Sequence, residues 1–183
     1  MAEQNPGLQP AEIEKIKRQC REKKQSYVLN EDEPQGEEFA HFFFVGKHQG
    51  RDCIFDAVMY TLRLHHSSVL YEMAEDRAEG QFPRYKRKLD EDEDEEEVDE
   101  EIEIFKAEVM DELEESESVK VQEYIHVDTD FDYGYALEVC LNVEEITGAT
   151  IEKFVRDFTA GTLKLDKTLY TFHHEGDGED DEE

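Results

Sequence analysis

Apolar residues recur along the chain at spacings that divide it into helices and strands. Pro10 suits a first helical position, where its missing N–H costs nothing. Ile13, Ile16 and Cys20 then form a narrow helical stripe to about Gln25, with Lys15, Lys17, Arg18, Arg21, Lys23 and Lys24 on the other faces. A connector with Pro34 covers 30–36. From Glu38 to Val45 the pattern alternates, with Phe39, His41, Phe43 and Val45 on one face and Ala40, Phe42 and Phe44 on the other. Both faces are apolar, which predicts a strand covered on two sides. Gly46–Gly50 reads as a turn and Asp52–Leu64 as the returning strand. There Ile54, Val58, Tyr60, Leu62 and Leu64 oppose Cys53, Phe55, Ala57 and Met59.

Ser67 or Ser68 is placed to cap a helix bearing Val69, Leu70, Met73 and Ala74, with Gly80 at its end. A strand through Val69, Tyr71 and Met73 is the competing reading. Further on, Val98, Ile102, Phe105, Val109 and Leu113 recur at steps of three and four, a helical stripe surrounded by acids. Carboxylates this dense weaken an isolated helix, so burial of the stripe has to hold it. Val119–Val127 and Tyr135–Val143 read as a second hairpin around a turn at Asp128–Gly134. Thr147 or Thr150 caps a helix through Ile151, Phe154, Val155 and Phe158 that ends at Gly161, and Thr168–Phe172 is a last strand.

The order is helix, strand, strand, helix, then the same again with one strand more. The expected fold class is α+β, a mainly antiparallel sheet built from two hairpin-plus-helix units, with an acidic linker and an acidic tail. Val45 and Val127, Val69 and Ile151, and Gly80 and Gly161 are offset by 82, 82 and 81, which admits an internal duplication on slight residue identity. The expected organisation is a disordered N-terminus at 1–9, a helix–hairpin–helix unit at 10–88 and a linker at 89–97. A helix–hairpin–helix–strand unit at 98–174 packs with the first as one domain, and a disordered tail occupies 175–183.

Composition sharpens this picture in one respect. The 183 residues include 50 Asp or Glu and 20 Lys or Arg, a formal net charge of −30. Asp90–Glu117 holds 18 of the acids and one Lys, and Glu175–Glu183 holds seven acids and no base. The rest of the chain is close to ordinary. Such blocks repel and stay solvated. Direct binding to nucleic-acid phosphates or anionic membranes is disfavoured. No apolar run approaches the about 20 residues of a membrane span, and the N-terminus lacks a secretory pattern. Three cysteines without a CxxC pair read as reduced thiols, so a cytoplasmic location is expected. The 11 Phe and 8 Tyr supply a core in the absence of Trp.

Candidate chemistry is sparse. Asp128, Asp130 and Asp132 alternate within Asp128–Gly134 and could turn oxygens toward a hard cation, Ca²⁺ or Mg²⁺. Tyr133 and Val139 stand where an EF-hand loop needs Gly and Glu, and a plain hairpin turn explains the Asp and Gly residues equally well. His65-His66 and His173-His174 are adjacent pairs that, on strands, face opposite ways and cannot share an ion. His41, between Phe39 and Phe43, reads as a hydrogen-bonded core or edge residue. Cys53 with His126 is one conceivable pair in space. Phosphate-binding and GxSxG motifs are absent. Two carboxylates sit among apolar neighbours, Asp56 and Glu138, and these are the places to look for a shifted pKa.

The function expected from these features is a non-catalytic, intracellular protein-interaction module or chaperone-like acidic protein. It would use apolar sheet and helix surface for a partner protein of basic character, aided by the acidic tracts. Small acidic secretion chaperones are an analogy in composition and hairpin–helix order alone. The alternatives are a divalent-metal-dependent hydrolase-like enzyme using Asp128, Asp130 and Asp132, and a nucleic-acid mimic that inhibits a basic DNA-binding protein. Self-masking of the acidic run, on the basic face of the first helix or on the nearer Arg84–Lys88, is a further reading of the charge. No catalytic residue and no resident cofactor is expected, and the oligomeric state is left open.

Overall fold

The computed structural model describes residues 10–48, 50–81, 99–115, 121–131, 134–163 and 170–173. Within these, helix α1 is Pro10–Lys23, strand β1 Val28–Leu29, β2 Phe39–His48, β3 Arg51–Thr61 and helix α2 Leu62–Gln81. Helix α3 is Asp99–Glu115, followed by β4 Tyr124–Phe131, β5 Gly134–Leu141, helix α4 Gly148–Thr159 and β6 Tyr170–His173. The N-terminal segment 1–9, Arg84–Lys88, the linker 89–97, Asp132 and the tail 175–183 lie outside the described residues.

The fold is α+β, and its sheet is mixed. Six strands run in the order β1-β2-β3-β5-β4-β6. β1–β2, β2–β3 and β4–β5 pair antiparallel, while β3–β5 and β4–β6 pair parallel. The two hairpins therefore join through their inner strands, Ala57 beside Leu137 and Met59 beside Val139. The chain divides into two compact units, residues 1–62 with 122–183, and residues 63–121. This partition cuts across the hairpin-plus-helix halves expected from the order of elements.

In the first unit alternation decides which side of the sheet becomes core. Ala40, Phe42 and Phe44 of β2, Cys53, Phe55, Ala57 and Met59 of β3, and Leu137 and Val139 of β5 are buried together on one face. Ile13 of α1 and Ile151, Phe154 and Val155 of α4 pack onto that same face. Phe44 and Phe55 stack at 5.0 Å, and Phe158 meets both edge-on. Gly46 is required here, because a Cβ at that position would lie 2.7 Å from the Phe55 ring. α4 begins with a capping box: Thr147 Oγ1 accepts from the Thr150 amide at 3.2 Å, and Thr150 Oγ1 accepts from the Thr147 amide at 3.4 Å. It ends as a Schellman turn, with Gly161 at φ +66° and the Thr162 amide on the Asp157 carbonyl.

The second unit is a helix pair. Leu70 and Ala74 of α2 pack against Val109 and Leu113 of α3, with Phe105 and Met110 alongside. Ile102 is buried as well, so the acid-bounded stripe is an inward helix face as its spacing predicts. Lys106, the only base in α3, is also buried: its ammonium lies 3.1 Å from Glu103, 3.7 Å from Glu75 and 5.2 Å from the centre of the Tyr71 ring.

Several boundaries differ from the sequence reading. β3 stops at Thr61, and Leu62 and Leu64 belong to α2 rather than to a continued strand. Ser67 and Ser68 are therefore helix interior, not caps. The Ser67 hydroxyl donates to the Arg63 carbonyl one turn back, and Gly80 falls within the last turn. β4 begins at Tyr124 instead of Val119 and runs through Phe131, so the expected turn at Asp128–Gly134 is mostly strand. Between Asp128↔Ala136 and Phe131↔Gly134 the register slips by one residue, a β-bulge. The turn between β2 and β3 is tighter than Gly46–Gly50, since pairing continues to His48↔Arg51. β1 has only two residues and shows no period of its own. Burial does not follow the 82-residue offset: Val127 is fully buried whereas Val45 is half-buried, and Ile151 is buried whereas Val69 is half-buried.

Candidate functional site

The face of the sheet opposite the core carries the polar groups. On β3 the even-numbered residues Ile54, Asp56, Val58 and Tyr60 point there, and on β5 Ala136, Glu138 and Cys140. Tyr124 and His126 of β4 and His41 and Phe43 of β2 complete the surface. Both carboxylates that stand among apolar neighbours in sequence, Asp56 and Glu138, fall on this face.

Glu138 is the centre of one group. Tyr60 and Tyr124 both stand beside Cys140 in register, one from each neighbouring strand. From there their hydroxyls converge on Glu138 Oε1: Tyr124 donates at 2.5 Å and Tyr60 donates to the same oxygen, with the two hydroxyls in contact as well. His126, directly beside Glu138 on β4, places Nδ1 3.9 Å from Oε2. The Glu138 side chain is 44 % exposed, so one side of the carboxylate is open to water while the other lies against tyrosine. Burial raises its pKa above the ordinary glutamate range.

The second group is a line of three side chains. His41 Nε2 hydrogen-bonds Asp56 Oδ1, and His41 Nδ1 lies 3.2 Å from the Asn30 side-chain nitrogen. Asn30 Oδ1 accepts from the Asp32 amide at 3.2 Å, which fixes the orientation of the Asn30 amide. Its NH₂ therefore donates to His41 Nδ1, and Nε2 carries the proton that goes to Asp56. His41 and Asp56 side chains are each 14 % exposed. The sequence expectation of a hydrogen-bonded histidine holds at this position.

The chemistry open to these groups is limited by their partners. An Asp–His pair serves as a general base only with a ring nitrogen facing substrate, and both nitrogens of His41 are engaged by Asp56 and Asn30. Burial pushes the Cys53 and Cys140 thiols up to about 11, and pushes Tyr124 up to about 12. None of the three is ionised at neutral pH, so none offers a thiolate or phenolate nucleophile. Cys53 lies in the core on the other face from His126, so that pairing does not form.

The remaining candidates are more scattered. Asp128 and Asp130 lie on β4 at the bulge, with their side chains outside the described set, and Asp132 is outside it altogether. His65 and His66 are on helix α2, not on a strand, and burial lowers the His65 pKa. Among the described residues no group of three or more His, Cys, Asp or Glu is placed to hold a metal ion. No described helix is long and apolar enough to cross a membrane. No family model, no curated protein and no solved structure matches this chain.

Two features escape sequence reasoning. Tyr60 and Tyr124 are 64 residues apart and meet only because β5 lies between their strands. The helix pair also leaves large apolar side chains in solvent: Tyr71 is 43 % exposed, Met73 37 % and Ile104 55 %. Of Val69, Leu70, Met73 and Ala74, read from the sequence as one helix face, only Leu70 and Ala74 are buried, Val69 is half-buried and Met73 is exposed; the strand reading through Val69, Tyr71 and Met73 fails because all three lie in α2.

Proposed function

We propose that the protein is a non-catalytic interaction module, chaperone-like and acidic, that binds a basic partner protein through apolar surface on its helices. The observation that carries this reading is where apolar surface is left uncovered. Tyr71, Met73 and Ile104 all belong to α2 and α3, amid a helix whose 17 residues hold nine acids. Exposed apolar groups inside a strongly charged surface are what a partner-binding face combines: burial supplies affinity and the charge selects and steers the partner. The polar groups of the sheet are tied to one another, which suits a scaffold better than a reaction centre. Three free cysteines, two of them buried, fit a reducing cytoplasm.

Affinity recovery from the native host tests the reading, with intact chain, chain lacking Asp90–Glu97 and chain lacking Glu175–Glu183 side by side at low and high salt. A partner recovered by the intact chain and lost with salt or with either deletion is the expected result. Unchanged recovery from both deletions overturns the electrostatic part, and failure to retain any protein at low salt overturns the interaction reading itself.

A further inference from the structure

The helix pair carries a cleft of about 440 Å³ lined by Ser67, Ser68, Tyr71, Glu72 and Met110. Ser67 with Tyr71 and Ser68 with Glu72 are i,i+4 pairs, so α2 lays two adjacent rows along it, and Met110 comes from α3. The Tyr71 ring and the Met110 thioether supply apolar contact, and Met is a side chain that adapts to the shape of what it meets. The serines add small polar walls, and Glu72 is exposed.

Glu72 edges this cleft from α2, on which the exposed Arg63 lies one turn before Ser67 and His65 lies near Glu72. Lys106 of α3 is the base beside Tyr71, and its side chain is only 3 % exposed, with its ammonium committed to Glu103, Glu75 and the Tyr71 hydroxyl. Glu75 and Glu103 are 37 % and 61 % exposed. An occupant therefore meets apolar surface edged by carboxylate, while the one lysine is turned inward.

We propose that this cleft binds a segment of a partner protein that presents an apolar side chain flanked by Lys or Arg. The apolar side chain enters between Tyr71 and Met110, and the flanking cations meet Glu72 and Glu75. A second copy of this chain is a poor occupant, because its net charge of −30 repels the same carboxylates. The proposal rests on the interaction reading above and assigns it a place.

The test uses the full chain and a fluorescein-labelled amphipathic Leu/Lys peptide of about 14 residues, a length able to form helix. Anisotropy titrations compare wild type, the double variant Ser68→Arg with Glu72→Arg, and chain lacking Glu175–Glu183. Both substituted positions are exposed, so the variant keeps its fold, which circular dichroism verifies. The expected result is binding weakened about tenfold or more by the double variant and about threefold or less by tail removal, with a Leu/Glu peptide failing to bind. Wild-type affinity in the double variant overturns the cleft while leaving the interaction reading in place, and equal binding of the Leu/Glu peptide overturns the charge argument. Absence of Leu/Lys binding at low salt overturns the cleft, whereas the interaction reading falls only with failed affinity recovery.

Discussion

Tyr124 donates its hydroxyl proton to Glu138 Oε1 across 2.5 Å, from the strand next to the one that carries the acid. Tyr60 brings a second hydroxyl to the same oxygen from the other side. The two tyrosines close off one flank of the carboxyl group, and burial there raises its pKa. A carboxyl whose folded pKa lies above its unfolded value binds more protons in the folded state across the interval between the two. Stability contributed at this position is therefore present below the ordinary glutamate range, near 4.3, and is lost as pH rises through the raised value. Glu138→Gln keeps an acceptor oxygen for both hydroxyls and removes the titration. The melting temperature of the variant relative to wild type should rise between pH 4 and 8, by an amount moderated by solvent at the open side of the carboxylate. A melting-temperature difference that stays flat across that range contradicts the assignment.

His41 should exist as the Nε2–H tautomer. Asn30 is oriented by the Asp32 amide and donates to Nδ1, leaving Nε2 to donate to Asp56. Long-range ¹H–¹⁵N correlation spectra distinguish the tautomers directly. Asn30→Ala should release Nδ1, mix the tautomers, and cost about 1 kcal/mol for a part-buried hydrogen bond. A dominant Nδ1–H signal in the wild type would reverse the proposed orientation of Asn30.

What the chain discloses about itself follows from where periodicity is local. The two faces of β2 and β3 are readable, since Ala40, Phe42 and Phe44 alternate against His41 and partner Met59, Ala57 and Phe55, but with apolar residues on both faces the pattern does not tell the core face from the half-buried one that carries Phe39, His41, Phe43 and Val45. The α3 stripe is readable from its spacing, and the start of α4 from its threonines, although the sequence leaves Thr147 and Thr150 open and the capping box makes Thr147 the cap. The end of β3 is not readable, because Leu62 and Leu64 prolong the parity of Val58 and Tyr60 into a helix. Nor is the far end of β4, which the sequence stops at Val127: Asp128 and Asp130 carry turn-like composition while the backbone goes on pairing with its neighbours. Tertiary pairing overrides local preference there. At the site, Asp56 and Glu138 stand out by their apolar sequence neighbours. Their partners do not, since the order β3-β5-β4 that brings Tyr60 to Tyr124 is set by long-range pairing. Parallel pairing of β3 with β5 is likewise invisible in a pattern that fixes faces but not directions.

At Gly46 the sheet core leaves no room for a side chain. A Cβ there meets Phe55 Cε2 at 2.7 Å and Cδ2 at 3.0 Å. The Phe55 ring has little room to retreat, being stacked on Phe44 and met by Tyr135 and Phe158. Gly46→Ala should therefore destabilise the fold by about 1–3 kcal/mol through overpacking, although alanine is otherwise the better strand residue. Chemical denaturation of the variant measures this. The double variant Gly46→Ala with Phe55→Leu should recover part of the loss, since the shorter side chain gives up the space that the new methyl takes.

Lys106 holds the acidic helix pair together by occupying the place where its carboxylates would otherwise repel. Its ammonium reaches Glu103 on its own helix, and Glu75 and the Tyr71 hydroxyl on α2, while its stem is buried beside Val109 and Leu113 on the same helix face. Reversing the charge puts a buried carboxylate among two others, so Lys106→Glu should cost about 3 kcal/mol or more and lower helical content by circular dichroism. Lys106→Met keeps the volume of the stem and leaves behind two carboxylates that still reach water. Its cost should be about 1 kcal/mol and should shrink as salt screens the repulsion between Glu75 and Glu103. If Lys106→Met proves as damaging as Lys106→Glu at high salt, the lysine acts through a contact other than this charge balance.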